Sequence, residues 1–157
     1  MKNKINWKIL VASFFIVFAV AFLGSLFTSS GTNSEWYNSI KPDITPPNWV
    51  FLIVWNILFI LIALSLYFAW IYAKTTKRNG KIIFAFGINF ILNILWSFLF
   101  FKLRNSVAAF MEIFILWASI IFLIYTASRI KRVAGYLLIP YLLWVSFAIV
   151  LNFLSMF

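Results

Sequence analysis

Glu35, Asp43 and Glu112 are the only acids in this 157-residue sequence, which contains neither histidine nor cysteine. That inventory removes the commonest general base, the commonest metal ligand and every thiolate. Two of the three acids also share one polar stretch, so hydrolysis by a carboxylate pair and metal-assisted chemistry are poor readings. What the chain has in quantity is aromatic: eight Trp, six Tyr and 20 Phe. Three groups set amides among these rings at helical spacing. Phe51, Trp55 and Phe59 recur every four residues, with Asn56 beside them. Asn89, Asn93, Trp96 and Phe100 follow at i, i+4, i+7 and i+11, and Tyr141, Trp144, Ala148 and Leu151 follow similarly, with Asn152 adjoining. Each stripe turns one helix face toward a common interior. Two readings stay open. One is packing with interhelical hydrogen bonds worth around 1 kcal/mol each. The other is an aromatic-walled pocket with a few amide donors, suited to a large, flat, apolar ligand.

The elements that carry these stripes follow from hydropathy. Hydrophobic residues make up 65% of the chain and charged residues 10%, against about 45–50% and about 25% in soluble domains. So short a soluble fold could not hide that much apolar surface. The uncharged stretches predict transmembrane helices at 8–28, 47–73, 81–102, 106–128 and 133–154, each near the roughly 20 residues that cross a hydrocarbon core. The expected fold is an all-α, single-domain bundle of five transmembrane helices. The one long loop, 29–46, is polar and is expected to hold a short interfacial helix around Glu35–Ile40. Pro46-Pro47 suits a helix start, and Pro140 is placed to kink the fifth span. Ala21, Ser25 and Gly87 are small enough to let helices approach closely, within the bundle or in a homodimer. Glu112 is the only formal charge inside a predicted span; a structural role is expected, with the carboxyl either protonated or paired with Arg104 or Lys102.

The net charge of +10 is a topology signal. Lys2, Lys4, Lys8, Lys74, Lys77, Arg78, Lys81, Arg129, Lys131 and Arg132 fall on the amino-terminal side of the bundle, and Lys41, Lys102 and Arg104 on the other. The positive-inside rule places the amino terminus in the cytoplasm, with attraction to anionic lipid and no role in nucleic-acid binding. Lysines before an apolar run resemble a signal peptide, but this run exceeds the usual 7–15-residue core and is expected to stay as a helix. A plasma or inner membrane is the expected location.

Three ordered motifs then match one family. Trp36-Tyr37, Lys41-Pro42 and Pro46-Pro47-Asn48-Trp49-Val50-Phe51 with Trp55 form the first; the stretch from Asn89 through Asn93, Trp96 and Ser97 to Phe101 forms the second; Pro140-Tyr141, Trp144, Phe147-Ala148 and Leu151-Asn152 form the third. Together they resemble the tryptophan-rich sensory protein/translocator protein (TspO/MBR) family across nearly the whole chain. The resemblance implies a five-helix bundle, often dimeric, that binds porphyrins such as protoporphyrin IX and isoquinoline-carboxamide or benzodiazepine-type drugs under its long first loop. Carried over by motif, the ligand site would involve Trp36, Pro46, Phe51, Trp55, Phe59, Asn93, Trp96, Trp144, Ala148 and Leu151. The resemblance also implies light-dependent porphyrin breakdown using Trp55 and Trp144, with transport of porphyrin or lipid as the alternative. No basic residue follows Asn152, so the cholesterol motif of animal members is not matched. Without His or Cys, haem iron lacks its usual axial ligands. The expected ligand is therefore a metal-free porphyrin, with no cofactor, and Lys41, Lys102 and Arg104 are the only loop-side cations to meet its propionates.

Overall fold

A computed structural model describes residues 5–157, apart from the side chains of Thr75 and Thr76. Lys2 and Lys4 lie outside the described residues. In a bilayer every backbone polar group needs an internal partner, which long helices supply within themselves. Among the described residues five such apolar segments are present: Trp7–Gly31, Asn48–Lys74, Asn79–Lys102, Ser106–Ser128 and Arg132–Leu154. The protein is a five-helix membrane bundle.

Local chemistry sets the helix ends. Asn6 Oδ1 accepts from the Ile9 amide at 3.2 Å and starts α1 (Trp7–Gly31). Ser34 Oγ accepts from the Tyr37 amide at 3.1 Å and starts the short α2 (Glu35–Ile40). Lys41, before Pro42, is extended and ends it, as pre-proline sterics favour. Pro47 occupies the cap position of α3 (Asn48–Thr76), and left-handed Lys77 (φ 53°) closes that helix. The third span is α4 (Asn79–Ser97) continued by a π-helical turn, Phe98–Lys102. Left-handed Arg104 (φ 52°) and the cap Asn105 then reverse the chain into α5 (Ser106–Ser128).

The fifth span is two helices, α6 (Arg132–Tyr136) and α7 (Ile139–Leu154), with a break at residues 137–138. Pro140 lies in the first turn of α7. It has no amide to donate back to Tyr136, so the break falls where a continuous helix would lose a bond.

Around the bundle, α1 sits between α3 and α4, and α5 sits between α4 and the α6–α7 span. The ring closes between α3 and the fifth span mainly through α6, where Ser65 Oγ donates to the Ala134 carbonyl at 2.7 Å. Ala63, Ala69, Ala73, Ala85, Ala127 and Ala134 are fully buried at that end; small side chains let helices approach closely in lipid. Gly135 belongs with them, since a Cβ there would run into the Ser128 side chain. Gly87 does not. A Cβ there would meet nothing within 4 Å, so it faces out of this bundle.

Candidate functional site

At the loop end the helices part and enclose a cavity of about 540 Å³, within the roughly 300–1,000 Å³ range of small-molecule sites. From α3 it takes Phe51, Trp55 and Phe59; from the third span Asn93, Trp96, Phe100 and Phe101; from α7 Trp144, Ala148, Leu151 and Asn152. The three stripes thus converge on one space. Ring contacts bridge α3 and α7: Phe51 meets Trp144 edge-on at 5.4 Å and Trp55 meets Tyr141 at 6.2 Å, while Trp55 stacks on Phe59 of its own helix at 5.4 Å.

Most of the interior amides hydrogen-bond across helices. Asn89 Nδ2 donates to Ser119 Oγ at 3.0 Å, and Asn93 Nδ2 to the buried Tyr141 hydroxyl at 2.9 Å. Asn152 accepts from Trp96 Nε1 at 3.2 Å and donates to the Ser106 carbonyl at 2.9 Å. Asn56 departs from the pattern by donating to the Leu52 carbonyl of its own helix at 2.8 Å. It is exposed and lines the cavity. Phe22, Ser25 and Leu52 are likewise both cavity-lining and exposed, and the cavity wall is incomplete there.

Two polar atoms at the cavity are buried without partners: Trp144 Nε1 and Thr45 Oγ1. Buried polar groups are normally satisfied; both atoms belong to residues that line the cavity but are themselves closed off in this structure. Lys41 lines the mouth, while Lys102 and Arg104 are exposed and lie off the cavity. Trp36 and Pro46 do not line it either. Trp36 instead packs edge-on against Phe100 at 5.5 Å.

That contact belongs to a cluster in which the loop helix α2 packs on the end of the third span and forms a lid over the loop end. In the π-helical turn the Leu103 amide reaches the Phe98 carbonyl at 2.9 Å, one residue further back than in an α-helix. Consecutive Phe100 and Phe101 are both buried, and both meet Tyr37 of α2, at 6.4 and 5.6 Å. A Cβ on Gly31 would lie 2.5 Å from Phe101 Cδ1, so glycine lets the end of α1 reach the same cluster. Burial pushes the Tyr37 phenol up from its ordinary value near 10.

Several wall residues escaped the motif reading. Ala21, Ser25 and Thr28 of α1 and its cap Thr32 line the cavity, and their i, i+4, i+7, i+11 spacing is the signal already used for α4. Ile113 and Leu116 of α5 also line it, with nothing in their types to mark them. Of the two expectations for Glu112, pairing with Lys102 or Arg104 is not met: it is 5% exposed, and neither carboxyl oxygen has a hydrogen-bond partner among the described residues. It lies six residues inside α5, about 9 Å along the helix, while Lys102 and Arg104 remain exposed at the end.

An all-helical membrane bundle with five spans, enclosing an aromatic cavity beneath a loop helix, defines the class. Residues 13–156 match the model of the TspO/MBR family, and the chain belongs to that family. It is 40% identical over 146 residues to the tryptophan-rich protein TspO of Archaeoglobus fulgidus, covering 92% of each chain. It is 38% identical over 139 residues to that of Chlorobaculum tepidum, covering 86% of this chain and 85% of the relative. The translocator protein of Ovis aries is 27% identical over 134 residues, covering 84% and 79%.

Proposed function

We propose that this protein is a membrane receptor for flat, apolar, acceptor-bearing molecules: metal-free tetrapyrroles such as protoporphyrin IX, and drug-like isoquinoline-carboxamide or benzodiazepine compounds. The observation that carries the reading is the 540 Å³ aromatic cavity with an unpartnered indole N–H in its wall. Rings stack on its Trp and Phe faces, each pair worth about 0.5–1.5 kcal/mol beyond area burial. Trp144 Nε1 and Thr45 supply hydrogen bonds, and Lys41 meets a propionate at the mouth. Lys102 and Arg104 add longer-range attraction only.

Trp55 and Trp144 are positioned to give an electron to a photoexcited ring, leaving an indole radical cation and a reduced porphyrin. Ring breakdown then consumes dioxygen as the oxidant. The close packing around Ser65 and Ala134 counts against a through-path for a transported molecule. The amino terminus and basic end lie in the cytoplasm of a plasma or inner membrane. A homodimer forms through the outer face of α4, where Gly87 stands open between exposed Ile83 and Ile91.

Titrating the reconstituted protein with protoporphyrin IX while following tryptophan fluorescence, in darkness and in light, tests this reading. Saturable quenching in the dark is expected, followed by oxygen-dependent loss of porphyrin absorbance in light. Trp55→Phe/Trp144→Phe should keep the first and lose the second. Absence of saturable quenching removes the receptor reading, and unchanged breakdown in the double variant removes the tryptophan role.

A further inference from the structure

Trp144 lines a second hollow. Besides the large cavity it borders a separate groove of about 350 Å³ between α3 and α7, otherwise lined by Val54, Ile57, Leu58, Pro140 and Leu143. Every one of these side chains is apolar. Ile57 and Leu143 stand at the rim, 52% and 65% exposed, and both lie within membrane-crossing segments. The groove has a backbone cause. Beyond the Ser65–Ala134 contact the fifth span breaks before Pro140, and α3 and α7 then meet mainly through rings such as Phe51 and Trp144.

Size and surroundings select the occupant. An α-helix is about 10–12 Å across, so a hollow of this volume holds less than one turn of a neighbouring chain. Water finds no polar side chain to bond among Val54, Ile57, Leu58, Pro140 and Leu143. An empty groove would forfeit dispersion contacts along its whole lining. Lipid tails, slender and apolar, are already the solvent at this depth.

We propose that the groove is an acyl-chain site, in which one lipid tail lies between α3 and α7 against Trp144. Trp144 then borders both the bound tail and the cavity, and its indole N–H has no hydrogen-bond partner among the described residues. This assignment makes no use of porphyrin binding and stands or falls apart from it.

The experiment uses the full chain in mixed micelles with rising fractions of phosphatidylcholine brominated along its acyl chains. Tryptophan fluorescence of the parent minus that of Trp144→Phe reports Trp144. Its quenching should saturate at low brominated fraction and exceed severalfold the mean of the other tryptophans. Ile57→Phe and Leu143→Phe, which fill the groove from its rim, should shift the curve severalfold toward higher fractions. If Trp144→Phe does not fold, loss of saturable quenching in Leu143→Phe relative to the parent decides the question. Quenching merely proportional to bulk brominated lipid, or unaltered by the filling variants, overturns the site. The chain has no cysteine, so Leu143→Cys introduces a sole thiol. Rapid disulfide dimers in vesicles would place a second copy in the groove and likewise overturn the assignment.

Discussion

The two ends of the bundle are built from different residues and do different things. At the basic end, alanines, Ser13, Ser65 and Gly135 are buried almost without remainder, and helix meets helix by close backbone approach. At the loop end the same helices carry Trp, Phe and Asn, meet through rings and side-chain hydrogen bonds, and enclose a cavity. Bundle and pocket therefore share one set of helices. Small residues close one end and large ones prop the other open, because side-chain size sets interhelical distance.

The largest effect should come from breaking the closed end. Gly135→Val pushes a side chain into Ser128 and toward the Ile124 carbonyl, 3.1 Å from the Cβ position. It should destabilise the protein by about 3 kcal/mol, at the upper end of overpacking penalties. Thermal unfolding in detergent measures this, and a shift as small as that of a surface variant would refute the closed-end picture. Glu112→Gln comes next and has the opposite sign. It removes a buried carboxyl without partners, and insertion costs for acids of roughly 2.5–3.5 kcal/mol at mid-helix suggest a gain of about 1–2 kcal/mol. Ligand affinity should not change. Its loss in a well-folded variant would move Glu112 from structure to function.

The lid gives a smaller, pH-dependent effect. Tyr37→Ala loses ring contacts to Phe100 and Phe101 worth about 1 kcal/mol and should speed ligand release severalfold in stopped flow. The parent should show a related loosening at alkaline pH. The folded pKa of Tyr37 is raised above its ordinary value near 10, so lid stability is intact below that value. It falls as pH rises from there toward the folded pKa, because the undocked phenol ionises first. Tyr37→Phe should remove the pH dependence. Lys41→Gln should weaken protoporphyrin IX severalfold while leaving a neutral ligand unchanged, and equal losses for both would rule out a propionate contact. The smallest effect is Gly24→Ala at the open end. There a new Cβ meets only Ser97 Oγ at 3.8 Å, an ordinary contact that should shift stability by less than about 0.5 kcal/mol.

Much of the open end was legible beforehand because it is periodic. Asn93, Trp96, Trp144 and Leu151 repeat along single helices, and period alone puts them on one face. The wall from α1 carried the same spacing in smaller residues, Ala21, Ser25, Thr28 and Thr32, which a search for rings and amides passes over. Trp36 and Pro46 had the right types and motif positions yet lie off the cavity. A loop's facing depends on turn geometry and has no fixed period.

By itself, then, the sequence determined the five spans, the concentration of basic residues at one end, the inward faces of α3, α4 and α7, and the family. These follow from local hydropathy and helical repeat. Only the tertiary structure decided that the cavity opens at one end, that a π-helical turn carries both Phe100 and Phe101 to Tyr37 of the loop helix, that Glu112 stands unpaired among the described residues and that Trp144 borders two hollows. Each of these depends on distances between helices, which are set by how side chains from distant segments fill shared volume.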